Sequence, residues 1–443
     1  MMVSIFMRKK YFKILSLIFI FIIFMSSVAQ VVERFPKPDF KSGYTRPIPT
    51  APAPRSLGLE YLDVFVLVLT LSLASYFALK LRSRKHIFLL MVFSLIYFGF
   101  WREGCVCPIG AIQNMTLAVF DSGYAIPLTV IAFFVLPLLF ALFFGRTFCA
   151  AVCPLGAIQD VVVVKHMNIP SWLAEVLGLF PYIYLGLAVL FTANGAGFVI
   201  CQYDPFVGFF RFGATFNMII FGLSLLLLGT IIARPYCRFL CPYGVLLGWM
   251  SRLSKRHVTI TPSECTNCRL CEESCPFGAI NKPDESEIPE SKPKSIRRLI
   301  MYFILLPIII VSSGWLVSQM NIPLSRQHKT VSLAEEIILE NSGQRAETTL
   351  ETRTFRSQGK ATAELFEEAR EIQGRFKSGG WILGGFLGLI FGIKLVNLSV
   401  RKKQNGYTTN TGTCLSCSRC FDYCPFEQER IQLLNRTSIL NEF

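Results

Sequence analysis

Apolar runs of membrane-spanning character recur along the chain, separated by polar stretches that collect Lys and Arg. They fall at about 60–80, 87–101, 126–144, 178–196, 215–233, 299–318 and 380–398. A hydrocarbon core about 30 Å thick takes roughly 20 apolar residues as a helix, so each run is predicted to span a bilayer. A further run from about Ile14 to Met25 follows Arg8, Lys9 and Lys10 and precedes Ser26-Ser27-Val28-Ala29. It reads either as a signal peptide or as an uncleaved anchor, the anchor being favoured. The expected fold is an all-α polytopic membrane protein of seven or eight transmembrane helices.

The polar stretches divide the chain further. Residues 1–29 are the anchor or signal peptide. Residues 30–58 form a linker with Pro36, Pro38, Pro47, Pro49, Pro52 and Pro54, expected to be extended and periplasmic. The membrane core is predicted over 59–256. Single spans at 297–318 and 379–400 bracket a polar, helical segment at 319–378, which contains Leu333-Ala-Glu-Glu-Ile-Ile-Leu339 and Ala363-Glu-Leu-Phe-Glu-Glu-Ala369. That segment is expected either as a solvated cap or as a docking surface for an outer partner. Gly380, Gly384, Gly388 and Gly392 line one face of the last span and permit close approach of a neighbouring helix.

Charge sets the orientation. The chain has 443 residues, 52% of them hydrophobic and 16% charged, with a formal net charge of +15. Lys80, Arg82, Arg84 and Lys85, then Arg146 and Lys165, then Arg234, Arg238, Arg252, Lys255 and Arg256, then Arg297 and Arg298, and finally Arg401, Lys402 and Lys403 all fall on one side of the predicted spans. This places that side in the cytoplasm of a bacterial inner membrane. No basic amphipathic stretch interleaved with aromatics occurs, so nucleic acid is not expected as a partner.

The fifteen cysteines bring in chemistry. Cys265-x2-Cys268-x2-Cys271-x3-Cys275-Pro276 has the spacing of a bacterial ferredoxin run for a [4Fe–4S] cluster, and Cys414, Cys417, Cys420, Cys424 and Pro425 repeat it. In two-cluster ferredoxins the fourth Cys of each run serves the other cluster. The expected sets are Cys265, Cys268 and Cys271 with Cys424, and Cys414, Cys417 and Cys420 with Cys275. Zinc or disulfides are the competing readings, and neither accounts for the double spacing. Two predicted spans separate the runs, so both face the cytoplasm. Residues 257–296 and 401–443 can therefore form the halves of one small α+β dicluster ferredoxin-like domain.

A second cysteine pattern lies in the membrane core. Gly104-Cys-Val-Cys-Pro-Ile-Gly-Ala-Ile-Gln113, Phe148-Cys-Ala-Ala-Val-Cys-Pro-Leu-Gly-Ala-Ile-Gln159 and Tyr236-Cys-Arg-Phe-Leu-Cys-Pro-Tyr-Gly244 each follow an apolar run and end in Cys-Pro-x-Gly. Topology places Cys149, Cys153, Cys237 and Cys241 at the cytoplasmic edge, where four thiolates suffice for one more iron–sulfur cluster. Structural thiol pairs or redox dithiols are the alternatives. Cys105, Cys107 and Cys201 fall at the opposite edge. They can hold a further cluster with a fourth ligand such as Asp204, or simply fill apolar space as small hydrophobes. Any relay across the membrane needs a centre there.

With these residues in view, the chain resembles the membrane polyferredoxins of the NosR/NapH type. The resemblance rests on the two Cys-x3-Cys-Pro turns and the two ferredoxin runs, over roughly residues 60–280 and 400–430. It implies electron transfer between a quinone pool or cytoplasmic partners and periplasmic reductases, or support of their maturation. The chain departs from the NosR type in lacking a large flavin-binding outer domain. Its ferredoxin runs are split by two spans, and it carries the tight Cys105-x-Cys107 pair.

The expected function is that of a membrane-bound electron-transfer subunit of an oxidoreductase complex. It has a cytoplasmic electron donor or acceptor and a periplasmic flavoprotein or reductase subunit as partners. A maturation factor supplying electrons to a periplasmic metalloenzyme and a transmembrane thiol–disulfide conduit are the alternatives. His86, His166, His257 and His328 do not pair across helices, which argues against bis-histidine haem. No Walker A motif, dinucleotide fingerprint or Ser/His/Asp grouping appears, so no catalytic residues are expected.

Overall fold

The structure, a computed structural model, describes residues 56–430 apart from 105–107, 165–166, 168, 261–264, 284–291, 346–347, 360 and 400–405. The expected anchor at 1–29, nearly all of the proline-rich linker, and Cys105, Cys107, Lys165 and His166 lie outside the described residues.

Helix α1 (Leu57–Tyr76) widens into a π-helical segment at Phe77–Leu81, where Arg82 takes a left-handed conformation and stops it. Helix α2 (Arg84–Ser94) likewise continues as a π-segment, Leu95–Trp101. Helices α3 (Pro108–Phe120) and α4 (Leu128–Phe144) follow, the latter ended by Gly145 at φ 76°. Then come α5 (Pro154–Val161), α6 (Phe180–Ala193), α7 (Phe216–Gly229) and α8 (Pro242–Arg252). Among the described residues, five helical stretches are long and apolar enough to cross a membrane: Gly58–Leu81, Arg84–Trp101, Trp172–Ala193, Ile296–Ser318 and Thr362–Asn397. The expected spans at 126–144 and 215–233 are the shorter apolar helices α4 and α7. Helix α3 is a third short apolar helix, which the hydrophobic pattern alone does not single out.

Helices α9 (Lys292–Ser318) and α12 (Thr362–Ser399) run against each other along their length. The glycine face of α12 makes this possible. A Cβ at Gly384 would overlap the Ser313 carbonyl, and one at Gly388 would overlap the Ser313 hydroxyl. Ser313 Oγ in turn donates to the Gly384 carbonyl at 2.8 Å.

No break separates the polar segment from the last span, because α12 continues through both. Its first half carries Leu365, Ala369, Ile372 and Phe376, spaced four, three and four residues apart so that they share one face. They bury against Val331, Ala334 and Ile337 of α10 (Lys329–Asn341), Phe355 of α11 (Leu350–Ser357), and Leu190 and Phe191 of α6. The apolar face of this cap is thus occupied by its own bundle.

The main core joins α1, α2, α4 and α8 to the segment around Cys149, and continues without a gap into Cys271, Cys275, Phe277, Ile280, Tyr407 and Leu415. Strands β1 (Ile280–Asn281) and β2 (Thr408–Thr409) pair antiparallel, Ile280 opposite Thr409. The chain on either side of the α9–α12 hairpin is therefore drawn into one lobe, as the even number of intervening spans requires.

Candidate metal centres

Both ferredoxin-type runs fold into loops of the same shape. Asn267 and Arg269 flank Cys268 with φ 55° and 66°, and Ser416 and Ser418 flank Cys417 with φ 54° and 59°. Non-glycine residues seldom adopt positive φ. Here two loops far apart in sequence do so at matching offsets. Alternating left- and right-handed residues turn successive backbone N–H groups inward, and such concavities favour anionic groups, iron–sulfur centres among them. Short helices follow each loop, Leu270–Ser274 and Arg419–Asp422.

The loops enclose two hollows. One, of about 610 Å³ with its open mouth, is lined by Cys265, Cys268 and Cys271 from the first run and by Cys420 and Cys424 from the second. The other, of about 360 Å³, is lined by Cys414, Cys417 and Cys420 with Cys275 from the first run. The fourth cysteine of each run thus faces the hollow of the other run. Burial pushes the Cys271 thiol up to about 11 and the Cys414 thiol up to about 12. Thiols so placed remain protonated unless cations replace their protons.

The membrane turns converge as well. A π-helical segment, Phe148–Val152, carries Cys149, and Cys153 occupies the N-cap of α5, whose first residue is Pro154. Cys241 is the N-cap of α8 before Pro242, and its Sγ accepts from Gly244 N at 3.3 Å. Proline suits the first helical position because its missing N–H has no partner there anyway. The Cys-Pro-x-Gly sequence therefore sets each thiol at a helix N-terminus, where backbone N–H groups favour a thiolate. These turns lie outside the five helices that are long and apolar enough to cross a membrane. Burial raises the Cys153 thiol well above its ordinary value, and neighbouring Cys237, Cys149 and Cys241 raise it further. Burial pushes Cys237 up to about 12, against the pull of Arg234. Four neighbouring thiols, two buried and two half-buried, suit a multinuclear cationic core. Among the described residues no three His, Cys, Asp or Glu close tightly enough to hold a single metal ion. The donor chemistry fits an iron–sulfur group.

Cys201 repeats part of this arrangement. Gln159 Oε1 accepts from the backbone N–H of Tyr236, the residue before Cys237, at 3.0 Å; Gln113 Oε1 accepts from Ile200, the residue before Cys201, at 3.0 Å. A Cβ on Gly156 would lie 3.7 Å from Cys237 Sγ, and one on Gly110 would lie 3.2 Å from Cys201 Sγ. Both glutamines and both glycines come from the repeated Pro-x-Gly-Ala-Ile-Gln sequence. Cys201 therefore stands to the turn after Cys107 as Cys237 stands to the turn after Cys153. Asp204, the suggested fourth ligand, accepts from Phe206 N at 2.9 Å.

Arginines seat the lobe on the helices. Arg146 Nη1 donates to the Gly412 carbonyl at 3.1 Å, and Arg238 Nη1 to the Pro276 carbonyl at 3.2 Å. Asp160, buried in α5, pairs with Arg84, with Arg234 at 3.2 Å and with Arg419 of the second run at 3.2 Å. None of these arginines stands out in the cysteine pattern. The available signal is the offset: Arg102, Arg146 and Arg234 each precede a turn cysteine by three residues.

Comparison with known proteins follows the same segments. A family described as a 4Fe-4S binding domain matches residues 126–170 and 214–261, which hold the two Cys-x3-Cys-Pro turns, and a second family of that description matches 258–281. The protein NirI of Paracoccus denitrificans is 31% identical over 123 residues, covering 27% of this chain and 18% of NirI. The putative electron transport protein YccM of Escherichia coli is 30% identical over 122 residues, 26% of this chain and 33% of YccM. This chain thus spans a third or less of the length of those two relatives. No solved structure matches it. The uncharacterized protein MJ0750 of Methanocaldococcus jannaschii is 30% identical over 187 residues, 41% of this chain and 77% of that protein. With its 4Fe-4S binding domains and apolar helices, the chain belongs, together with MJ0750, to a membrane-type ferredoxin family.

Proposed function

We propose that this protein is a membrane-bound iron–sulfur electron-transfer subunit. The observation that carries this is the crossing of the two runs, in which Cys424 lines the hollow of Cys265, Cys268 and Cys271 while Cys275 lines that of Cys414, Cys417 and Cys420. Each hollow is assigned one [4Fe–4S] cluster with those four thiolates. Cys149, Cys153, Cys237 and Cys241 are assigned a third. Cys201, with Cys105 and Cys107, is assigned an outer centre, supported by the repeated glutamine and glycine contacts.

Iron–sulfur clusters supply one-electron uptake and release without bond cleavage. The chain's residues do the rest. Phe277, Ile280, Tyr407 and Leu415 exclude water between the lobe and the bundle. Cys153 and Cys241 occupy equivalent N-cap positions, and the Cys241 sulfur accepts from the Gly244 N–H. Arg146, Arg234 and Arg238 fix the lobe against the membrane turns, so the inner thiol group and the second run share one continuous core.

Within its family the chain is read as of the NosR/NapH type, in a bacterial inner membrane, with seven or eight spans and the lobe in the cytoplasm. A cytoplasmic donor or acceptor docks at the lobe, and a periplasmic flavoprotein, reductase subunit or quinone completes the path. YccM, named as a putative electron transport protein, supports this direction of argument.

Anaerobic purification followed by iron and acid-labile sulfide analysis with EPR tests the assignment. About eight irons are expected for the lobe, since each of its two clusters holds four. About four more are expected for Cys149, Cys153, Cys237 and Cys241 and should disappear in Cys149→Ser; iron at the outer centre adds to the total and should survive that change. A colourless preparation without inorganic sulfide would overturn it.

A further inference from the structure

Three arginines share one sequence offset but not one environment. Arg102 is ion-paired with Asp63 at 2.8 Å, and Arg234 with Asp160 at 3.2 Å. Arg146 has no carboxylate within ion-pair distance among the described residues. It is nevertheless only 8% exposed. Its Nη1 donates to the Gly412 carbonyl at 3.1 Å, two residues before Cys414, and its Nη2 faces Cys149 Sγ at 3.9 Å. Its Nε is buried without a hydrogen-bond partner. From the other side Gly244 approaches so closely that a Cβ there would lie 3.2 Å from Nη2.

A guanidinium keeps its proton in proteins, and a buried charge without a counter-charge is costly. The groups positioned to supply negative charge are thiolates: Cys149 in contact, and Cys241 and Cys414 near enough to feel the arginine's field.

We propose that Arg146 is the buried counter-cation of the Cys149/Cys153/Cys237/Cys241 site and holds that site's reduction potential up. This rests on the iron–sulfur assignment above. The step concerned is uptake of one electron by the site from a reductant and its later release to an acceptor. No bond forms or breaks, and no proton accompanies the electron at Arg146, which is already charged. The added negative charge arrives beside a fixed positive one in a region of low dielectric, so the reduced state gains more than it would in water. Arg146 is thus a positioning residue. It tunes the site through charge and ties it to the second ferredoxin run through Gly412.

The test is an EPR-monitored redox titration of the full-length, anaerobically purified protein and its Arg146→Gln and Arg146→Lys variants. Glutamine removes the charge while keeping a polar side chain that donates hydrogen bonds. One midpoint is expected to move to lower potential in Arg146→Gln with iron and sulfide content unchanged, and to stay close to wild type in Arg146→Lys. An unmoved midpoint in a fully loaded Arg146→Gln overturns the proposal, as does an equal shift in both variants. If Arg146→Gln loses iron, Arg146→Lys decides: iron retained at the wild-type midpoint supports the role of charge, and iron lost overturns it. Cys149→Ser separates the two levels. An iron count that Cys149→Ser leaves intact sinks the assignment of the site itself, whereas a count that falls with no effect of Arg146→Gln sinks only the role of Arg146.

Discussion

Gln159 holds the backbone N–H of Tyr236 at 3.0 Å and extends its own amide to the sulfur of the next residue, Cys237, at 3.5 Å. One fully buried side chain thereby fixes both the backbone and the thiol of a turn that comes from a different part of the chain. Gln159→Leu leaves a buried N–H unpaired, at about 1–3 kcal/mol. The expected outcome is a lower melting temperature and loss of about four irons, the content of one cluster. Gln159→Glu keeps the acceptor and should retain more iron, measured by metal analysis on matched preparations.

The crossed hollows predict which cysteine variants behave alike. Cys275→Ala should abolish the same EPR signal as Cys417→Ala, and Cys424→Ala the same signal as Cys265→Ala. If instead Cys275→Ala matched Cys265→Ala, each run would serve its own cluster and the crossing would be refuted.

Asp160 is predicted to be a stability hub. Burial raises its carboxyl, and the guanidiniums of Arg234, Arg84 and Arg419 together pull it well below the usual carboxylate range. A depressed carboxyl contributes stability above its unfolded value, about 3.9, and loses it as pH falls through the folded value. Removing one partner of a buried ion network costs about 3–5 kcal/mol. Asp160→Asn should therefore lower thermal stability by a constant amount across about pH 5–8, and the deficit should shrink only below about pH 4. Melting curves across that pH series provide the check.

Gly384→Leu should disrupt the α9–α12 hairpin. The added side chain meets the Ser313 carbonyl and the Gly314 backbone, which, unlike a flexible side chain, cannot swing aside cheaply. Overpacking of this kind costs about 1–3 kcal/mol or more. Gly385→Leu, one residue on and facing Ile310 at an ordinary 3.8 Å, should be tolerated. Detergent-solubilised yield and melting temperature of the two variants make the comparison.

Much of this arrangement is legible in the sequence because its constraints are local. The ferredoxin spacing, the Cys-Pro-x-Gly turns and the glycine face of the last span each follow from short-range rules, and the parity of apolar runs brings the two ferredoxin runs to one side. The rest depends on tertiary partners. Nothing local marks Arg146 or Asp160 as buried, since arginines in polar loops ordinarily face water. Helix α3, at 13 residues, is too short to register as a span. The cap segment and the last span look like separate units by hydropathy, yet the spacing of Leu365, Ala369, Ile372 and Phe376 carries one helix through both. Gln113 and Gln159 reveal their function only when Ile200 and Tyr236 are placed beside them.

The pairing of Ile280 with Thr409 also sets an order on biosynthesis. The ribosome delivers the first run well before β2, and two helices long and apolar enough to cross a membrane, α9 and α12, intervene. Until β2 has been made, the nascent chain presents Cys265, Cys268, Cys271 and Cys275 without the strand that pairs beside them. Completion of the lobe thus waits on synthesis of the whole α9–α12 hairpin, and a chain truncated before Thr408 cannot close it.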